Sequence, residues 1–131
     1  MTLVVDAGVV VTACLSAPGL SPLGPERLVG PPLLWSEARS TLHELRWRDE
    51  IDAGDAEAAR EALETSDVER VDDPRLGARA WQIADTLGWA KTYDADYVAL
   101  ADLLGCRLVT LDARLRRGAA RLGFVIGVDE L

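Results

Sequence analysis

The sequence predicts an α/β domain, a parallel sheet covered by helices on both faces. Three observations predict it. Short apolar runs at Leu3–Val5, Val68–Val71, Leu108–Leu111 and Phe124–Val128 alternate with longer stretches whose apolar residues recur at helical spacing. Two of those runs end in an acid, in "LVVDAGVV" and in "RLVTLDARL". The chain has 131 residues, 49% of them hydrophobic, which is the size of one domain spanning 1–131. A domain near this size buries roughly two-thirds of the surface its unfolded chain exposes, enough for a core.

Each element follows from local chemistry. Leu3 to Asp6 reads as the first strand, and Ala7 to Leu15 as a helix leaving its end. The segment from Ser16 to Pro32, "SAPGLSPLGPERLVGPP" from Ser16 onward, is dense in Pro and Gly and reads as a loop with room for one helical turn. Leu33 to Arg48 places Leu34, Ala38, Leu42 and Leu45 on one helical face. Asp55 to Glu64 reads as a short helix capped by Asp55. Val68 to Val71 is the second strand. Asp73 and Pro74 then suit the cap and first residue of a helix that carries Leu76, Ala80, Ile83, Ala84 and Leu87 inward and stops near Gly88. Asp94 to Leu104 is a helix with Tyr97, Leu100, Ala101 and Leu104 as its apolar stripe. Leu108 to Leu111 is a strand, Arg114 to Leu122 a short helix, and Phe124 to Val128 the last strand.

Composition excludes several functions. The net charge of −8 argues against nonspecific coating of nucleic acid, which runs on Lys and Arg. A local basic path is still compatible with it: thirteen of the fourteen cations are Arg, suited to forked phosphate contacts, and the one Lys is Lys91. No apolar run approaches the ~20 residues of a membrane span, and the N-terminus has no signal-peptide pattern. Cys14 and Cys106 stand among apolar residues in no metal spacing, which fits buried thiols in a reducing cytoplasm.

In parallel sheets ligands bind beyond the carboxyl ends of the strands, where strand order reverses. Asp6 and Asp112 both fall there. Glu37 borders the apolar face of its helix, and Asp94 opens the helix that leads to the strand before Asp112. Each acid alone is explained by a cap, a strand end or a helix dipole. Gathered, they repel by about 4 kcal/mol per pair at ~4 Å and an effective dielectric near 20, so the cluster calls for a cation. Oxygen ligation without a His or Cys cluster favours Mg²⁺ or Mn²⁺, and the sole histidine, His43, cannot build a zinc site.

These residues carry a resemblance. "LVVDAGVVV" with Asp6, "PPLLWSEARSTL" with Glu37, "TYDADYVALA" with Asp94 and "RLVTLDARL" with Thr110 and Asp112 resemble, in order and spacing and over essentially the whole chain, the PIN-domain ribonucleases, specifically the VapC toxins of type II toxin–antitoxin systems. The resemblance implies a three-layer α/β/α sandwich and an endoribonuclease using Mg²⁺ or Mn²⁺. It implies that Asp6, Glu37, Asp94 and Asp112 form the acidic site, with Asp6 and Asp94 as direct metal ligands and Thr110 orienting a ligand or water. It further implies an RNA substrate, a homodimer and a cognate VapB-like antitoxin. Ser40 stands where many relatives carry Asn, and the Pro/Gly loop replaces an expected helix. Asp96 is a further acid near Asp94, read as an outer member of the group or a solvated first-turn residue.

RNA contacts have two candidate stripes: Arg114, Arg117 and Arg121 after Asp112, and Arg39, His43 and Arg46 on the helix of Glu37. Either is also an ordinary solvated face. The acidic tract from Asp49 to Glu69 would repel RNA and faces solvent. Trp35, Trp47, Trp81 and Trp89 suit core or dimer contacts as well as base stacking. Three rivals compete with a nuclease. A haloacid-dehalogenase-like phosphatase would need a second Asp two residues after the first, where Gly8 stands. A phospho-receiver domain would need an acid pair ending the first strand and a late Lys. The only adjacent Asp pair is Asp72-Asp73, and no Lys follows Lys91. An inactive PIN-like binding module is the third.

Overall fold

The computed structural model describes residues 1–131. Five parallel strands form one sheet: β1 (Thr2–Val5), β2 (Arg27–Gly30), β3 (Glu69–Arg70), β4 (Arg107–Thr110) and β5 (Val125–Gly127), in the order β3-β2-β1-β4-β5. Six helices connect them: α1 (Ala7–Cys14), α2 (Leu33–Trp47), α3 (Ala53–Glu64), α4 (Leu76–Leu87), α5 (Tyr93–Leu104) and α6 (Ala113–Gly118). The helices α1, α2 and α3 pack together, as do α4 and α5. Right-handed crossovers place the first three on one face of the sheet and the others on the opposite face, giving three layers. Val4, Val5, Val29, Leu108 and Val109 are fully buried between them, as expected for strands covered on both sides.

The chain runs outward from β1 to β2 and β3, then crosses back to β4 and β5. The reversal therefore lies between β1 and β4, where Val4 pairs with Leu108 and Val5 with Val109. Asp6 follows β1 directly and Asp112 lies just beyond β4.

Several expectations are corrected. The Pro/Gly segment does contain a helical turn, Ser21–Leu23, but it also contains β2, which pairs with the central strand along Thr2–Val4. Proline at both flanks hides this four-residue strand from local reading. At its end Gly30 admits a close neighbour: a Cβ there would come within 2.5 Å of Leu34, which is fully buried. α3 starts two residues earlier than predicted because Asp52, accepting from the Asp55 N–H at 2.7 Å, is its cap. Asp73 caps no helix; it accepts from the Arg75 N–H and guanidinium in a turn before α4. The predicted last helix breaks after Gly118 into a separate turn, Ala120–Leu122. Leu104 is exposed, whereas Ala95, Val98 and Ala99 join Tyr97 inside, so α5 is buried nearly all round rather than along one stripe.

Candidate active site

Asp6 sits at the junction of β1 and α1 and is only 7% exposed. Both of its oxygens are engaged. The Val9 N–H donates to Oδ1 at 3.0 Å, an N-cap bond, and the Thr110 hydroxyl donates to Oδ2. Thr110 is itself buried and accepts from the Asp112 N–H at 2.9 Å, so one hydroxyl ties the ends of β1 and β4 together. Asp112 caps α6 through Oδ1, which accepts from the Arg114 and Leu115 N–H groups at 2.9 and 3.3 Å; Oδ2 takes no protein donor. The cap reading of Asp6 and Asp112 and their place in an acidic group hold together.

Glu37 lies in the second turn of α2. Its Oε1 accepts from the Tyr97 hydroxyl, which reaches across from α5; Oε2 takes no protein donor. Asp94, in the first turn of α5, accepts no hydrogen bond from the protein. Glu37, Asp94 and Asp112 line one cleft of about 580 Å³, together with Trp89, Tyr93 and Arg114 among others.

The electrostatics follow from this placement. Burial pushes the Asp6 carboxyl above its ordinary value, and the charges of Asp112 and Asp94 push it further against the pull of Thr110 and Val9. Glu37 is pushed up first by burial, then by Asp94 and Asp96, with the Tyr97 bond opposing. Asp94 is raised by burial and then by Asp112, with Arg114 opposing. Asp96 is raised by burial. Like charges within mutual reach disfavour ionisation in this way.

No protein cation pairs with the group, although Arg114, on the lining of the same cleft, eases the charge on Asp94. Nine ion pairs engage nine carboxylates elsewhere, and none involves Asp6, Glu37, Asp94, Asp96 or Asp112. The donor set fits a hard divalent ion: all oxygen, with Asp94, Glu37 Oε2 and Asp112 Oδ2 free of protein donors. No three of these side chains already stand at ligating separation, because Asp6, Glu37 and Asp112 are each turned to an internal hydrogen bond.

The other predicted residues divide. Asp96 lies outside the cleft lining but near enough to raise Glu37. Ser40 is exposed, outside the cleft, and hydrogen-bonds to no protein group. Arg39 pairs with Glu64 at 3.4 Å and lines, with His43, Arg46 and Arg60, a separate groove between α2 and α3. Arg114 lines the acidic cleft; Arg117 is exposed beside it, and Arg121 donates to the Thr86 carbonyl. Trp35 is buried with Arg70 4.8 Å over its ring, while Trp47 and Trp81 are 79% and 67% exposed.

Tyr97 is the residue that sequence reading assigns to the core alone. It is core by burial, 1% exposed, yet its hydroxyl meets Glu37 and feels the charges of Asp6 and Asp94; burial and these acids hold its phenol well above the usual range. The available signal is a tyrosine among aliphatic residues three positions after Asp94, since a buried Tyr hydroxyl needs a partner.

Comparison with known proteins places this geometry. The family model for the PIN domain matches residues 4–121. Ribonuclease VapC9 of Mycobacterium tuberculosis and a VapC ribonuclease of Mycobacterium bovis are each 39% identical to the chain over 114 residues, 86% of this chain and 87% of theirs. The crystal structure of PAE2754 from Pyrobaculum aerophilum matches with a TM-score of 0.77 over 99% of this chain and 85% of that one; at 23% identity the likeness is one of fold.

Proposed function

The chain belongs to the PIN-domain family, among the VapC ribonucleases, and from that premise we propose how its acids cleave RNA. It is an RNA-cleaving hydrolase, the toxin nuclease of a toxin–antitoxin system, with a divalent metal requirement, an RNA substrate and an antitoxin partner. The finer reading assigns the metal to Asp6, Asp94, Asp112 and Glu37, with Mg²⁺ or Mn²⁺ as the ion. It also assigns a homodimer, a VapB-like antitoxin and residence in the cytoplasm. No helix is long and apolar enough to cross a membrane.

Bound there, such an ion supplies charge to a phosphate oxygen and acidity to a water, the usual contributions to phosphodiester hydrolysis. The residues do the rest. Thr110 and the Val9 N–H fix both oxygens of Asp6, which is buried behind the cleft rather than on its lining, and so hold its carboxyl in one place. Tyr97 holds one oxygen of Glu37 and leaves the other free to accept a proton from the attacking water; the raised Glu37 carboxyl suits that role. Asp94 and Asp112 present free oxygens to the cleft, and Arg114 meets a phosphate at its edge. Water adds to phosphorus, the P–O3′ bond breaks, and the products carry a 5′-phosphate and a 3′-hydroxyl.

The observation that carries this reading is a group of four carboxylates from four segments, three of them lining one cleft, that enter no ion pair and whose charges push the carboxyls of Asp6, Glu37 and Asp94 up. One observation favours a second reading, a PIN-like module that binds without cleaving: no three acids are already gathered. Digestion of total RNA with mapped ends separates them. The parent with Mg²⁺ or Mn²⁺ is expected to cut at defined positions and Asp6→Asn not to cut. Equal cleavage by both refutes the site assignment; binding with cleavage by neither supports the second reading.

A further inference from the structure

The cleft that holds the acids has a second wall of different chemistry. The turn from Gly88 to Lys91, together with Tyr93 and Arg114, lines it opposite in character to Glu37, Asp94 and Asp112. Trp89 is half-buried against the core, and a Cβ added to Gly118 would lie 3.2 Å from its indole Cζ2 and Nε1, so the ring abuts a residue without a side chain. Tyr93 is 57% exposed at the first position of α5, next to Asp94. Lys91 is the only lysine of the chain. Six arginines and Lys91 enter no ion pair, and of these Lys91 and Arg114 are the two that line this cleft.

An exposed aromatic ring gains little from folding, and unpaired cations beside an acidic group would ordinarily close on it. Here both line the cleft of the acids. Two aromatic rings for a base and two free cations for phosphates form the combination that recognises a nucleotide taken out of a helical stack.

We propose that Tyr93 and Trp89 form a subsite for one unstacked nucleobase adjoining the scissile phosphate, with Lys91 and Arg114 holding the phosphates on either side. The subsite rests on the ribonuclease reading for its place beside the scissile bond. It selects for RNA that can present a free base there and against the same sequence in a duplex, because a paired base cannot lie on Tyr93.

The test uses an RNA oligonucleotide spanning a mapped cut site, single-stranded or annealed to its complement. Tyr93→Ala is expected to lower kcat/KM on the single strand about tenfold, mainly through KM, and Tyr93→Phe to stay within about twofold, since stacking needs the ring and not the hydroxyl. Replacing the flanking nucleotides one at a time by abasic ones is expected to reveal one position at which parent and Tyr93→Ala become equal. Lys91→Ala is expected to reduce the salt slope of binding by about one. Unchanged kcat/KM in Tyr93→Ala, with an unchanged melting temperature, overturns the subsite and leaves the nuclease standing. If the parent cuts no RNA, the nuclease reading fails separately. Anisotropy of the labelled single strand then decides the subsite: equal affinity of parent and Tyr93→Ala overturns it, and weaker binding by the variant sustains it.

Discussion

Asp73 accepts hydrogen bonds from the Arg75 backbone and guanidinium, and its carboxyl is held down to about 2. Asp94 accepts none from the protein, and burial with the neighbouring Asp112 pushes its carboxyl up. The two stand for two regions. Over the helix surfaces and turns, nine carboxylates are paired and others, such as Asp49 and Glu61, stand alone in solvent: Arg27 forks onto Glu69, Arg79 meets Asp102, Arg116 meets Asp129 and Glu130. At the carboxyl edge of the sheet, Glu37, Asp94 and Asp112 line one cleft and Asp6 lies near enough to feel the charges of Asp94 and Asp112, all four without an ion pair. With thirteen arginines available, the contrast is not a shortage of cations. It is the contrast expected if one group of charges is kept for a cation from outside, the site assignment proposed above.

The strongest way to break the comparison is to remove one site charge. Asp6→Asn keeps an N-cap for α1, since Asn caps as well as Asp, and removes the repulsion with Asp94 and Asp112. RNA cleavage is expected to vanish while the metal-free melting temperature rises by a few degrees, equivalent to about 1 kcal/mol. Calorimetry should also show the parent gaining roughly 2.7 kcal/mol when Mg²⁺ or Mn²⁺ is at about 100 times its dissociation constant, and the variant gaining far less. A variant as metal-stabilised as the parent would place the ion elsewhere.

Next comes Tyr97→Phe, which keeps the ring in the core and removes only the donor to Glu37. Outer partners of metal-site carboxylates are typically worth 10- to 100-fold in metal affinity or activity. A loss of about that size is expected in both, with apparent metal affinity read by melting-temperature titration. Full retention of metal affinity would reduce Tyr97 to a packing residue.

Acidity should act oppositely on the two regions. The carboxyls of Asp6, Glu37, Asp94 and Asp96 lie above their unfolded values of 3.8 and 4.5. Their contribution is complete below those values and is lost as pH rises through the raised ones. The metal-free protein should therefore melt at a higher temperature near pH 5 than near pH 7. Asp73 has the reverse sign: its contribution is present above 3.8 and is lost as pH falls through about 2. With metal saturating, the trend between pH 7 and pH 5 should invert, because the ligands must be deprotonated.

The smallest effect belongs to the paired region. Breaking the exposed Arg48–Glu44 pair with Arg48→Ala is expected to change stability by less than about 0.5 kcal/mol and cleavage not at all. A large effect there would remove the distinction between the two regions.

Local chemistry by itself determined the alternation of strand and helix, the acids at the ends of β1 and β4, and the acids in the second turn of α2 and the first turn of α5. These follow from apolar periodicity and from carboxylates at element ends, both readable over a few residues. Only the tertiary structure decided the rest. It made a strand of Arg27–Gly30, because a central partner, β1, supplies ladder bonds that Pro and Gly on either flank conceal. It put β1 beside β4, so that Thr110 could bind Asp6 from 104 residues away. It drew Tyr97 out of an apolar stripe and onto Glu37, and it tied Arg121 to Thr86 and Arg39 to Glu64 while leaving Arg114 at the cleft. A side chain's partner across the fold depends on which elements pack together, and no local run of residues carries that information.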